Sequence, residues 1–407
     1  MQDAANQPTI LLLGGSGFVG SALGERFASL GWKVHLVTRT KRPYQMAFPC
    51  EQFEWDGTSI PLEAIEGVQA VINLAGQPIF DNRWTADYRK KILDSRLFAG
   101  RALVAAIDKL SAPPPVVIQI SGTDFYGMDP RSDVCDERAG PVEDFMAEVG
   151  MVGEEPSLKL DSVTRLCIVR MGLVLGWEGG GLPQLWDVYA SGCGGKLGNG
   201  QQPTNWVHVD DVVGFCEAAI LNENYQGVYN LVAPNNASNA ELHRHLCSHT
   251  PSLQFLTAPK LYLKVLMGEQ GNFLLQAPQV TTPRAEADGY TYQYPDLESA
   301  MKHFMQDREN IGVNFLKLKQ WLPLTLEQCQ DAPAFRTLPA QGWFGLWAHR
   351  QQLHAVAGGT RVEDRIEYRL PLFPLGQVAL AWVRSRLQKR LKERREALAQ
   401  YAIRLNS

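Results

Sequence analysis

An α/β fold is what this 407-residue sequence predicts: a doubly wound parallel sheet with a smaller lobe beside it, then a C-terminal α+β segment. Three observations carry the prediction. Apolar strand-like runs alternate with amphipathic helical stretches over the first 120 residues, as in a parallel sheet covered on both faces. A glycine-rich turn joins the first strand to the first helix. Near residue 306 texture and charge both change. Gln306–Ser407 holds 16 Lys and Arg against 9 Asp and Glu, a net of +7, whereas the first 305 residues carry 23 against 34, or −11. The expected division is residues 1–305 and 306–407, with the smaller lobe drawn mainly from 171–205 and 235–305.

The elements follow in order. TILLLGG, from Thr9, reads as a buried strand, and a helix from Ser21 to Leu30 is stopped by Gly31. KVHLVTR, QAVINLAG and PVVIQISG are further strands, with helical spacing from Asp87 to Leu110 between the last two. RLCIVRMGLVLG continues the sheet, and GVYNLVAP precedes a helix whose first turn holds Asn239 and Glu241. Beyond Ile311, GWFGLWAHRQQLHAV and TRVEDRIEYRLPL alternate as strands about a turn at Gly358-Gly359. A basic helix closes the chain from about Gly376, with Leu380, Val383, Leu387, Leu391, Leu398 and Leu405 near one stripe.

Composition narrows the function classes. A net charge of −4 gives no global field for nucleic acid. Seven scattered cysteines without a CxxC read as reduced thiols. The N-terminus lacks the pattern of a signal peptide and no apolar run is as long as a membrane span, so the cytoplasm is the expectation.

The turn GGSGFVG gives the first chemistry. Gly14 permits the tight turn, Gly17 lets the backbone approach a pyrophosphate, and Gly20 allows close helix packing. Ser16, Phe18 and Val19 complete this cradle, where a helix N-terminus offers N–H groups to phosphate. The second strand ends VTRTKRP, so Arg39, with Lys41 and Arg42 beyond, stands where an NAD site carries an acid. A guanidinium there grips a 2′-phosphate, and the expected cofactor is NADP(H), with Arg39 as chief contact. The bland alternative is a run of solvated loop charges.

Residues 9 to about 305 resemble the extended short-chain dehydrogenase/reductases, and most closely the atypical nucleoside-diphosphate-sugar epimerase-like branch. The matching stretches include GGSGFVG, VINLAGQPIFDNRWT, ILDSR, SGTDFYG, VRMGLVLGWEGGGLP, GGKLGNGQQPTNWVHVDDVV, YNLVAPNNASNAEL and LMGEQGNFLL. The resemblance implies a Rossmann domain with a substrate lobe. It also implies that Leu74, Ala75 and Gly76 line the cofactor, with Arg170, Met171 and Gly172 near its nicotinamide end.

Hydride-transfer enzymes of that superfamily pair a Tyr with a Lys four residues on, the Lys lowering the Tyr pKa. None of the twelve tyrosines here has that partner. Aligned through Glu154, Met146 and Gly150 occupy the two positions. What remains is Ser121, Thr123, Asp124 and Tyr126, just past a strand's carboxyl end, with Tyr126 as proton donor and Ser121 or Thr123 to hold a substrate oxygen. The alternative is a packed Tyr126. The branch usually has small residues at Thr123 and Asp124, and this chain departs there. Arg83 and Trp84, and Trp206 and His208 beside Asn205, are candidate substrate contacts, a Trp face beside cations suiting a planar or sugar-like anion. The alternative is a structural junction, with Asp210 or Asp211 capping the next helix. No metal is expected: His243, His245, Cys247 and His249 project from different faces of one helix, which reads as solvated.

The last hundred residues resemble the second half of a START-like, polyketide-cyclase-type domain. An incomplete sheet leaves an open edge, so this segment is expected to pack on the first domain, or to pair with a second copy or a partner protein. Arg384–Arg404 holds eight cationic residues against two Glu, a face more readily solvated than membrane-bound. The expected activity is an NADP(H)-dependent oxidoreductase or epimerase-like reaction on a small molecule; the alternative is an NADP(H)-binding sensor or scaffold without turnover.

Overall fold

The computed structural model describes residues 7–128, 133–258, 270, 275–306, 314–330, 335, 337–339, 344, 346–370 and 380–406. Seven strands form one sheet: β1 Thr9–Leu13, β2 Lys33–Thr38, β3 Glu51–Glu54, β4 Ala70–Asn73, β5 Val116–Gly122, β6 Arg165–Met171 and β7 Gly227–Leu231. Their order is β7-β6-β5-β4-β1-β2-β3, and every pairing is parallel. The chain winds outward from β1 to β3, then returns to the other side of β1 as β4. The reversal between β1 and β4 opens a crevice at the carboxyl ends of those strands, where doubly wound sheets take ligands.

The sheet's faces bury separate clusters, one around Leu12, Phe27, Leu36 and Ile118, the other around Leu11, Leu13, Val71 and Leu103. Helix α1, Phe18–Ser29, begins three residues earlier than the sequence suggested. Helix α2 is Ala86–Ile107, capped by Thr85, and α3 is Phe145–Glu154, capped by Asp144. The expected continuous strand over 165–176 is two strands. A Cβ on Gly172 would fall 2.5 Å from the Asn205 carbonyl oxygen, and there Leu173–Gly176 leaves the sheet to pair with Trp206–His208.

The lobe contains α4 Gly181–Ala190, α5 Val209–Leu221 at its border, α6 Asn239–Ser248 and α7 Leu297–Met305. Its core gathers Trp186, Tyr189, Trp206, Leu246 and Phe304. Ser238 and Glu241 form a capping box at the start of α6.

In the C-terminal part, β8 Asn314–Leu322, β9 Leu346–Val356 and β10 Gly359–Arg369 pair antiparallel in the order β8-β10-β9. The β9–β10 turn sets Gly358 at φ 74°, a conformation that favours glycine. Helix α8, Leu380–Asn406, buries Leu387, Leu391, Leu398 and Ala402 against this sheet. The expected stripe stops short of Leu405, which is 47% exposed; the Leu380 side chain lies outside the described residues. Strand β8 faces the first domain. Lys319 Nζ donates to Glu25 Oε2 of α1 at 3.0 Å, and Lys317 lies 3.5 Å from Glu178. Among the described residues no helix is long and apolar enough to cross a membrane. No disulfide joins any of the seven cysteines.

Candidate functional site

The site begins where β1 turns into α1. Gly14 has φ 77°, and a Cβ there would lie 2.9 Å from the carbonyl of Leu74 at the end of β4. The two loops touch backbone to backbone, which only glycine allows. A Cβ on Gly20 would fall 2.5 Å from the Gly15 Cα, so its role is to let α1 close on its own loop rather than on the sheet. Gly17 is exposed, its N–H bonds back to the Gly14 carbonyl at 3.1 Å, and no side chain caps α1. The first-turn N–H groups and the positive dipole end therefore face the crevice without an acid to satisfy them. Ser16 is exposed on this turn. Phe18 turns its ring away, under Gly176 and Gly179, and Val19 packs on the sheet core.

Strand β2 ends at Thr38, and Arg39, Lys41 and Arg42 all lie exposed beyond it. Arg39 makes no hydrogen bond or ion pair among the described residues. The loop backbone is fixed: the Arg42 N–H donates to Gln52 Oε1 at 2.7 Å, and Gln52 Nε2 donates to the Arg42 carbonyl at 2.9 Å. Thus an unopposed cation stands at the tip of the strand next to the glycine turn.

The crevice's other wall is made by β4 and β5. Asn73 bridges them, donating to Gln119 Oε1 at 2.8 Å and accepting from the Ala75 N–H at 3.1 Å. Leu74 and Ala75 are half-buried on the core, and Gly76 is exposed. Beside Gly76 lies Arg96, whose Nη1 donates to the carbonyls of Gln77 and Ile92. Burial holds the Arg96 pKa below its usual value, while Asp124 works the other way.

Asp124 sits on the 3-10 turn Thr123–Tyr126 that follows β5. Its Oδ1 folds over Gly122, where a Cβ would come within 1.8 Å of it. Burial pushes this carboxyl up to about 6, against the pull of Arg96 and its own N–H and with the push of Glu154 and Asp144. Neutral and charged forms are both accessible near physiological pH, which suits proton transfer. The sequence left Asp124 beside Tyr126 at this strand end, and as a departure from the branch, but without a role of its own. Its signal was position, two residues past a strand's carboxyl end.

Behind Asp124 runs a buried chain of polar groups. Ser121 Oγ donates to Glu154 Oε1 at 2.7 Å. Arg170 meets Glu154 through two parallel bonds of 2.8 Å. Its Nη1 also donates to the Tyr126 hydroxyl at 3.0 Å, which donates to Asn230 Oδ1 at 2.7 Å. Burial opposes the Arg170 charge, but Glu154 and Tyr126 outweigh it and raise the pKa. Tyr126 is 0% exposed, and burial raises its pKa against the pull of Arg170 and Asn230. Both roles of its hydroxyl are used internally, so it does not meet the crevice. Thr123 is half-buried on the same turn as Asp124.

The positions of the usual Tyr/Lys pair are closed. Met146 is fully buried, and a Cβ on Gly150 would fall 2.7 Å from the Phe125 Cα. Helix α3 packs directly on the 3-10 turn and leaves no room for a lysine.

The substrate candidates separate. Arg83 is exposed and Trp84 half-buried, its Nε1 donating to the Ile79 carbonyl and its ring edge-on to Phe145. Trp206 and His208 belong to the core: they are 0% and 1% exposed, and His208 stacks on Phe304 at 4.6 Å. His208, rather than either aspartate, caps α5, its Nδ1 accepting the Asp210 N–H at 3.0 Å, and burial pushes its pKa down to about 3. Asp211 instead accepts the backbone N–H groups of Gln293 and Tyr294. His208, Asp210 and His303 lie within reach of a common ion, but the cap already uses the His208 Nδ1 lone pair. His243, expected in solvent, is buried between the Tyr189 hydroxyl and the Gln254 carbonyl. Met171 is half-buried at the end of β6.

Comparisons with known proteins agree with this geometry. Residues 10–231 match the NAD dependent epimerase/dehydratase family, and residues 258–304 match a domain of unknown function, DUF1731. The epimerase family protein SDR39U1 homolog, chloroplastic, of Arabidopsis thaliana is 32% identical over 308 residues, 74% of this chain and 88% of that protein. The crystal structure of human epimerase family protein SDR39U1 (isoform 2) with NADPH superposes with a TM-score of 0.67 at 29% identity, covering 74% of this chain and 99% of that one. The nucleoside-diphosphate sugar epimerase from Corynebacterium glutamicum gives 0.60 at 25% identity, covering 73% and 58%.

Proposed function

The chain belongs to the NAD dependent epimerase/dehydratase family, and from that premise we propose that it is an NADP(H)-dependent, epimerase-like oxidoreductase acting on a small sugar-like or anionic molecule. The observation that carries the reading is the pairing, across one crevice, of an uncapped helix start and unopposed Arg39 with the half-buried acid Asp124. The residues fit the cofactor. The uncapped start of α1, with no acid in its first turn, leaves backbone N–H groups for a pyrophosphate, and Arg39 supplies the fork a 2′-phosphate takes. The human relative solved with NADPH supports this choice. Bound NADPH would supply hydride.

Asp124 then handles the substrate proton in place of Tyr126, giving it from its carboxyl when a carbonyl is reduced and taking it back in the reverse direction. Thr123 orients the substrate oxygen, and the charge of Arg96 limits the acid's pKa rise. Ser121, committed to Glu154, holds the wall behind them. Arg83 and Trp84 stand at the rim, where an anionic or planar substituent would rest.

The test is NADPH oxidation across a panel of carbonyl compounds with wild type, Asp124→Asn and Tyr126→Phe. Turnover that survives in Tyr126→Phe and is lost in Asp124→Asn supports the assignment; the opposite pattern sinks it. The closed positions at Met146 and Gly150 favour a second reading, an NADP(H)-binding sensor without catalysis. Tight NADPH binding with no turnover on any compound would select it.

A further inference from the structure

Resting on the cofactor reading above, we propose that the C-terminal part completes the dinucleotide site: Arg395 of α8 supplies a cation to the adenosine 2′-phosphate, alongside Arg39 and Arg42. The loop that follows β2 is held by β8. Gln320, buried in β8, donates from its Nε2 to two carbonyls, that of Tyr44 at 2.7 Å and that of Arg395 at 3.0 Å. One amide therefore ties the loop to the helix turn that bears Arg395. The Trp321 N–H donates to the Met46 carbonyl at 2.7 Å, and the Trp321 ring lies 6.1 Å from that of Tyr44. Tyr44 has φ 57°, the one described non-glycine residue with positive φ. An unfavoured backbone of this kind persists where surrounding contacts impose it.

This joint sets the cation Arg395 against the cation Arg42. Arg395 is half-buried, its Nε is enclosed without a hydrogen-bond partner among the described residues, and no acid pairs with it there. Burial lowers its pKa, and the charged group that acts on it is another cation, Arg42. Arg42, Lys41 and Arg39 make no side-chain ion pair within the described residues; Lys41 has only a longer-range attraction to Glu51. Elsewhere α8 satisfies its buried arginine: Arg394, one residue earlier, donates to Asp364 Oδ2 at 3.0 Å. A guanidinium brought beside a second one, half out of water and unpaired, is unfavourable unless an anion joins them. The 2′-phosphate of the proposed cofactor, which Arg39 is placed to meet, is the anion this joint fits. Cofactor choice then depends on a part of the chain beyond the matched family segments, which end at residue 304.

The test uses the full chain and calorimetric titration with adenosine 2′,5′-bisphosphate and with adenosine 5′-monophosphate, which differ only in the 2′-phosphate. Wild type should prefer the bisphosphate. Arg395→Gln should cut that preference by about tenfold, with monophosphate binding unchanged, since one charged phosphate contact is worth about that much. Arg395→Lys should restore most of it. If wild type shows no preference, the NADP(H) reading fails and this proposal falls with it. If wild type shows the preference and Arg395→Gln keeps it, this proposal alone is overturned. Hydrogen exchange on wild type covers a variant that does not fold: residues 390–399 should gain protection with the bisphosphate and not with the monophosphate, and equal protection refutes the assignment.

Discussion

Replacing Asp124 by Asn should change how stability depends on pH, without any knowledge of the substrate. The folded carboxyl titrates at about 6 against an ordinary 3.8, because burial outweighs Arg96 and its own N–H. The folded protein therefore holds this proton more tightly than the unfolded chain. The contribution is fully present below pH 3.8 and is lost progressively as pH rises to about 6, above which both states are ionised. The gap corresponds to about 3 kcal/mol at 1.36 kcal/mol per pKa unit. This is an upper bound, since the half-buried carboxylate retains some water. Asp124→Asn removes the ionisation while keeping the shape. Urea unfolding of both proteins at intervals from pH 3 to 7.5 should show the wild type losing up to that amount relative to the variant, with a plateau above pH 6.5. Arg96, Glu154 and Asp144 face the group and stay in place in both proteins, so they cancel in the difference. Parallel stability curves for the two proteins would refute the account of Asp124 as an enclosed, proton-binding carboxyl.

Two further predictions follow from the same walls. Glu154→Ala leaves Arg170 buried without its bidentate partner and removes the acceptor of Ser121, so urea unfolding should show a loss of about 3–5 kcal/mol. Gly14→Ala places a methyl 2.9 Å from the Leu74 carbonyl in a left-handed backbone; it should weaken NADPH binding by at least tenfold in calorimetry while costing about 1–2 kcal/mol of stability.

What the sequence disclosed, and what it withheld, divides along contact range. The glycine turn and the cationic end of β2 are local, because spacing and residue type within a few positions determine them. β3 escaped notice because only Phe53 of its four residues is buried, too little for a periodic signal. β8 alternates, but its inward positions include Asn314 and Gln320, and a polar residue facing inward is justified only by partners such as the Tyr44 and Arg395 carbonyls. The Glu154–Arg170 pair joins a helix to a strand, and nothing in either segment announces the other. Trp206 and His208 read as a ligand loop because their residue types suit one, yet the lobe's packing around Phe304 and Trp186 encloses them.

Whether the missing Tyr/Lys pair is a substitution that could be reversed or a consequence of packing can be decided at Gly150. A Cβ there would sit 2.7 Å from the Phe125 Cα and 2.9 Å from its Cβ, and Phe125 in turn carries the Arg170 guanidinium over its ring at 3.3 Å. In an open helix Gly→Ala gains about 1 kcal/mol. Here the methyl must push the 3-10 turn, and overpacking of this kind costs about 1–3 kcal/mol. Gly150→Ala should therefore be destabilised in urea unfolding, and Met146→Tyr/Gly150→Lys more so, with no gain of NADPH turnover. A Gly150→Ala protein more stable than wild type would mean that space exists at this position after all. The burden of proton transfer would then not pass to Asp124 by exclusion. The destabilised outcome leaves α3 and the turn as one packed unit, and the proposed proton transfer then rests on Asp124, two residues beyond β5.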